Sequence, residues 1–160
     1  MQRIVLIVGL VAALAAGAPK PPPAVFDGYA FGMTVAQAEA VAPNRKSFEC
    51  GRLMTSRCIV YERRIGALPA RVTVQFSLEE TRIDRIEIAP RAADSSCDAV
   101  WNGLLGFLAA TYGEPKSREG NTMRWRTAGV AATATVLKSE DEPCDIVAAL
   151  TMAGAADEAN

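Results

Sequence analysis

From Arg71 to Leu78 the chain alternates without a break, with Val72, Val74, Phe76 and Leu78 on one side and Arg71, Thr73, Gln75 and Ser77 on the other. A strict period of two, apolar on one side and polar on the other, suits a strand that packs on a core with one face and meets water with the other. That arrangement belongs to antiparallel sheets. Cys58 to Glu62 before this run, and Arg85 to Ala89 after it with Ile86 and Ile88 in phase, read as neighbouring strands. Gly66-Ala67-Leu68-Pro69 and Glu79-Glu80-Thr81 are the expected connections. Ahead of these strands, Thr34 followed three residues later by Gln37 has the form of a capping box. Met33 and Ala38 can staple it, and Pro43 stops the run, which predicts a helix over 34–42.

The pattern then returns. Ser95 and Asp98 form a second capping pair, and Val100, Trp101, Leu104, Leu105, Leu108 and Tyr112 follow at helical spacing until Gly113 and Pro115, predicting a helix over 96–112. Period-two runs follow it at Met123-Trp125-Thr127, Val130-Ala132-Ala134-Val136 and Ile146-Ala148-Leu150, with Thr127-Ala128-Gly129 and the acidic Glu140-Asp141-Glu142-Pro143 between them. Residues 40–47 align with 110–117 at an offset of 70. The expected fold is therefore α+β: two helices on one face of an antiparallel sheet of six to eight strands, built from tandem αβββ units at 25–90 and 95–150. Two such units can share a core that one alone leaves uncovered. The chain of 160 residues fits one domain, expected over 25–150. Residues 151–160 lack periodicity and are expected to form a flexible tail.

Residues 1–18, MQRIVLIVGLVAALAAGA, carry one early arginine, an uncharged run from Ile4 to Ala16 and then small residues, the layout of a secretory signal peptide. The run would span roughly 20 Å as a helix, short of a hydrocarbon core of roughly 30 Å, so it is not expected to anchor the protein in a membrane. Cleavage is expected within Ala15 to Ala18. Residues 19–24 begin Pro-Lys-Pro-Pro-Pro and read as an extended linker. Removing the leader takes away Arg3 and no acid, leaving 16 basic residues against 18 acidic ones. The expected location is periplasmic or secreted, with no stable membrane insertion after cleavage.

Cys50, Cys58, Cys97 and Cys144 all lie in the part expected to be exported, and an even count in an oxidising compartment reads as two disulfides. Three pairings are possible. Cys50 and Cys58 bracket a stretch of turn length between strand-like pieces, which favours a local bridge and leaves Cys97 with Cys144. Loop closure is worth about 2.6 kcal/mol for the short bridge and about 4 kcal/mol for the long one. A zinc site is the rival reading, but the spacing contains no CxxC and the chain has no histidine.

The missing histidine also removes the Ser-His-Asp and Cys-His nucleophile systems and the HExxH metal motif. A net charge of −1 gives no electrostatic case for nucleic acid. The carboxylate groupings, Glu79-Glu80, Asp84 with Glu87, and Glu140-Asp141-Glu142, fall in turns or on solvent faces, where a glycosidase-like pair is not expected. Ser95-Ser96-Cys97-Asp98 reads as a helix cap with a disulfide rather than a nucleophile. No cofactor, metal or catalytic residue is nominated.

Arginine supplies 13 of the 17 basic residues, and Arg124 and Arg126 flank Trp125. If Trp125 points into the core, both guanidiniums lie on the opposite sheet face, where Arg71 can join them. Arginine is favoured where planar contacts to carboxylates are made and at interface hot spots, so these three form a candidate binding face. The alternative is a solvated, cross-strand-paired surface. Phe26, Tyr29 and Phe31 are open to two readings, core packing or an exposed anchor.

Phe31-Gly32-Met33-Thr34 opening a helix, Tyr112-Gly113-Glu114-Pro115 closing one, and Trp125 one strand later resemble a group of small envelope proteins. These are the αβββ modules of BamE-type outer-membrane assembly-factor lipoproteins and of secreted β-lactamase-inhibitor proteins. The resemblance implies tandem repeats that present a concave sheet to a protein partner, and disulfides inside a repeat, as Cys97 with Cys144 would be. The lipid-accepting cysteine of the assembly factors is missing after the leader. The expected function is that of an exported, non-enzymatic binding or accessory protein acting on an envelope or secreted protein. The alternatives are an enzyme with carboxylate-based hydrolytic chemistry and a structural envelope component.

Overall fold

The computed structural model describes residues 25–51, 56–79, 81–91, 96–127, 129–137 and 145–153. The expected leader (1–18), the linker (19–24), Glu80, Ser95, the acidic turn at 140–143, Cys144 and the end of the expected tail (154–160) lie outside the described residues.

The described chain opens on a tight turn. Asp27 and Gly28 have φ of 52° and 85°, as a type I′ turn requires, and Phe26 and Tyr29 bond across them. A Cβ on Gly28 would lie 3.0 Å from Val41 Cγ1, so the turn needs glycine for space as well as for φ. This turn delivers Phe26, Tyr29 and Phe31 into the core, where they are 5%, 0% and 7% exposed, which decides between core packing and an exposed anchor. Helix α1 (Val35–Val41) follows, with the full capping box between Thr34 and Gln37.

Four strands come next: β1 (Phe48–Cys50), β2 (Ser56–Ile65), β3 (Leu68–Phe76) and β4 (Ile83–Pro90). Helix α2 (Cys97–Tyr112) leads into β5 (Ser117–Glu119), β6 (Thr122–Thr127), β7 (Val130–Leu137) and β8 (Asp145–Met152). The eight strands form one antiparallel sheet in the order β1-β2-β3-β4-β8-β7-β6-β5, so the fold is α+β with the sheet dominant. Each half thus contains one helix and four strands, not the three strands expected. The additional strands, β1 and β5, are three residues long and stand at the two borders of the sheet. Tyr112 ends α2 71 residues after Val41 ends α1, and Ser117 opens β5 69 residues after Phe48 opens β1. These spacings bracket the offset of 70 seen in the sequence.

Other boundaries also move. Leu68 and Pro69 belong to β3, leaving Gly66-Ala67 as the turn, because Ile65 pairs directly with Leu68. Leu78 continues the alternation of β3 but lies beyond the strand and is 62% exposed, since the chain already turns at Ser77, whose carbonyl accepts from Thr81 N–H. The cap of α2 is Ser96, whose side chain accepts from Ala99 N–H. Strand β8 runs two residues past the expected domain end, with Thr151 and Met152 paired to Ala131 and Val130.

The core lies against one side of the sheet. Val100, Leu104 and Leu108, spaced by four residues on α2, are at most 1% exposed and cluster with Ile59, Val72, Val74, Ile86, Ile88 and Leu150. Ala38 of α1 joins the same cluster, and α2 lies against β2, β6 and β8. Gly113 ends α2 with φ 82°, and its N–H bonds Ala109 O. Trp125, 2% exposed, donates its Nε1–H to Gly113 O at 2.8 Å, fixing β6 to the end of α2.

Candidate functional site

Because side chains alternate along a strand, burying Trp125 sends its two neighbours to the opposite face. Arg124 and Arg126 are both exposed there, as expected. The register carries one row across six strands: Val60 faces Thr73, then Glu87, Ala149, Thr133 and Arg124 in turn. A parallel row runs Gln75, Arg85, Thr151, Ala131, Arg126. Arg71 faces Glu62 and Ala89 on the same side. All three predicted arginines therefore share one face, but β3 and β6 are four strand spacings apart, about 19 Å. Arg71 thus stands at one margin and Arg124 with Arg126 at the other.

Between the margins the floor is low. Ala149, Thr133 and Thr151 are small, partly exposed side chains, and the small Ala131 beside them is 8% exposed. The margins are charged and internally paired. Glu62 Oε1 takes Arg71 Nε at 3.5 Å and an Arg91 NH2 nitrogen at 2.9 Å, Arg85 pairs with Glu87 at 2.8 Å, and Arg124 pairs with Glu119 at 2.6 Å. These pairs are partly or largely exposed, and such pairs contribute only about 0–1 kcal/mol. They orient the guanidiniums at little cost to exchange, so an incoming carboxylate can replace the one already present.

The same face holds an apolar patch that the sequence reading missed. Phe48 pairs with Cys58 and so shares its side of the sheet; it is 48% exposed, and Val60 is 37% exposed. The Cys50–Cys58 disulfide lies between β1 and β2 beside them, with Cα atoms 5.9 Å apart. Cys97 is also disulfide-bonded; Cys144, its expected partner, lies outside the described residues.

Other candidate groups have structural partners. Asp27 accepts the Tyr61 hydroxyl at 2.9 Å and pairs with Arg63, whose guanidinium lies 4.9 Å from the Phe26 ring centre. Arg45 covers the Tyr61 ring at 3.6 Å, and burial pushes the Tyr61 hydroxyl well above the usual phenol range. The Tyr112 hydroxyl donates to Val25 O at 3.1 Å and is pushed up to about 12 by burial. Glu39 accepts from the backbone N–H and hydroxyl of Ser47, which lowers its carboxyl below the ordinary value, with Lys46 assisting. Among the described residues no cluster of His, Cys, Asp or Glu is arranged to hold a metal ion. No described helix is long and apolar enough to cross a membrane. Known protein families, curated proteins and solved structures offer no match to the chain.

Proposed function

We propose that this is an exported binding or accessory protein without enzymatic activity, which engages a protein of the envelope or secreted space through the face carrying Arg71, Arg124 and Arg126. One observation carries the reading: an eight-stranded sheet buries one side under a core and leaves on the other a small-residue floor between arginine-rich margins. Exchangeable guanidiniums suit carboxylates, and Phe48 with Val60 supplies an apolar contact at one border. The complementary surface is therefore acidic with an apolar element, and it must span both margins to use all three arginines.

The repetition of one helix and four strands supports a duplicated unit with both helices on the core side. The periplasmic or secreted location rests on the leader-like residues 1–18 and the Cys50–Cys58 disulfide, a bond that persists in oxidising compartments. The resemblance to αβββ envelope modules points the same way as an architecture only, since fold does not fix function. The test is native pull-down from an envelope extract, comparing the parent protein with a variant carrying Arg124→Ala and Arg126→Ala and with Phe48→Ala. Selective loss of one partner supports the face; equal recovery of every partner by all three proteins removes it.

A further inference from the structure

Strand β1 pairs with Ser56, Arg57 and Cys58 of β2, and no described strand continues that line past Cys58. Which backbone groups this leaves open follows from the register. Ile65 faces Leu68 across the two-residue turn, and the β2–β3 ladder runs without a slip to Arg57, so the odd-numbered residues of β2 exchange their hydrogen bonds with β3. The even-numbered residues point their N–H and C=O groups the other way. Those of Ser56 and Cys58 meet β1, and those of Val60, Glu62 and Arg64 meet no strand among the described residues. No backbone bond from a described loop or turn reaches these three, and the Arg64 carbonyl has only Arg63 Nε, at 3.4 Å.

The side chains along this stretch are mainly cationic. On the open face stand Val60, 37% exposed, and the exposed Glu62 and Arg64. On the core side Tyr61 and Arg63 touch Asp27, and Arg45 covers the Tyr61 ring. Arg45, Arg57 and Arg64 make no ion pair among the described residues; Arg57 donates to Ser47 Oγ and Arg64 to Ala67 O. Glu62, the one carboxylate on β2, already takes Arg71 and Arg91. A surplus of guanidinium therefore flanks a row of free backbone donors and acceptors. Strand addition draws affinity from such main-chain groups and specificity from the side chains beside them. A second copy suits this stretch badly: pairing about a two-fold axis centred on Glu62, Arg63 or Arg64 would set that charge against its own copy.

We propose that an extended acidic segment of a partner protein adds to β2 along Val60 to Arg64, with main-chain bonds to Val60, Glu62 and Arg64, carboxylates beside Arg45 and Arg64, and an apolar residue opposite Val60. This rests on the binding role proposed above and names how a partner is held; Arg124 and Arg126 lie toward the far border of the sheet and take no part. The test is an amide NMR titration of the folded protein, with hydrogen exchange, using the capped peptide Glu-Glu-Thr-Glu-Val and its counterpart with lysine for each glutamate. Two further forms of the acidic peptide carry one N-methyl group, on the threonine or on the glutamate after it.

The expected result is saturable shifts along β2 and slowed exchange at the amides of Val60, Glu62 and Arg64, with none added at Tyr61 and Arg63, which already bond β3. The lysine peptide should bind at least 10-fold more weakly. The two N-methylated peptides should differ at least 10-fold, because adjacent N–H groups of a strand point opposite ways and only one can face β2. Arg64→Gln should weaken the acidic peptide about 3-fold while the spectrum keeps its dispersion. No shifts at millimolar peptide, equal binding of the acidic and lysine peptides, or equal binding of the two N-methylated forms would each overturn the proposal. Slowed exchange at the same amides on concentrating the protein alone would give this border to a second copy and overturn it too. Shifts confined to the strands carrying Arg124 and Arg126 would overturn strand addition while leaving the proposed binding face standing.

Discussion

Ala148 and Ala149 are consecutive on β8 and face opposite sides of the sheet, so one substitution made at each position tests which side is covered. Ala148 is 0% exposed, paired with Ile88 on one flank and Ala134 on the other, and α2 lies against this strand. Ala148→Leu adds three carbons to a site whose neighbours, Ile88 and Ala134, are themselves 0% exposed. Overpacking of that kind typically costs about 1–3 kcal/mol. The upper half of that range is expected here, because α2 lies against β8 and leaves the added carbons no solvent to enter. Ala149 pairs with Glu87 and Thr133 and is partly exposed. Ala149→Leu there should change stability by no more than about 0.5 kcal/mol. Urea titration followed by tryptophan fluorescence separates the two. With a urea slope of about 2 kcal/mol/M, the midpoint should fall by roughly 1–1.5 M for Ala148→Leu and by less than roughly 0.3 M for Ala149→Leu, with slopes unchanged. Equal losses at the two positions would mean that the supposedly open face is covered in solution, and the proposed binding role would lose its surface.

Three further outcomes follow from the same geometry. Replacing Cys50 and Cys58 together by serine opens a loop of sequence separation 8 and should cost about 2.6 kcal/mol, seen as a fall in Tm of roughly 10 °C; a change under about 2 °C would contradict the loop-closure argument. Trp125→Phe removes the Nε1–H donor to Gly113 O and should lower stability by about 1–2 kcal/mol in the urea assay while keeping the far-UV spectrum. Tyr61 and Tyr112 hold their protons more tightly folded than unfolded, so the native state binds more protons once the unfolded phenols begin to ionise near 10.0. Stability from burying them is therefore complete below pH 10 and declines as pH rises toward 12, and Tyr112→Phe should flatten that decline in an alkaline titration.

The long strands could be read from the sequence because burial on one side writes an alternation into the side chains, and Val72, Val74 and Phe76 keep it on a face that never meets water. The border strands left no such record. Phe48–Cys50 and Ser117–Glu119 pair on one side only and stay mostly exposed, so nothing selects a period over three residues. At Cys58-Ile59-Val60-Tyr61 four apolar residues in succession hid the parity: Ile59 and Tyr61 face the core, Cys58 is buried on the other side by its disulfide, and Val60 is exposed. This is why Phe48 and Val60 were not picked out as contact residues. Trp125 revealed the side taken by Arg124 and Arg126, because a large indole flanked by two charges has one sensible orientation. The distance from them to Arg71 was not legible, since it depends on β4 pairing with β8 across more than 50 residues of chain, and no local pattern encodes that junction.

The brevity of β1 and β5 sets how this molecule behaves in a crowd. A long bare strand at either border would offer its backbone as a template, and neighbouring molecules would zip into ribbons. β1 covers only Ser56–Cys58 of β2, so past Cys58 the outer side of β2 has no strand paired to it among the described residues, while the disulfide ties the short β1 to its neighbour. The border that could template another chain is thus the stretch of β2 past Cys58, where the charged Glu62, Arg63 and Arg64 work against edge-to-edge fusion.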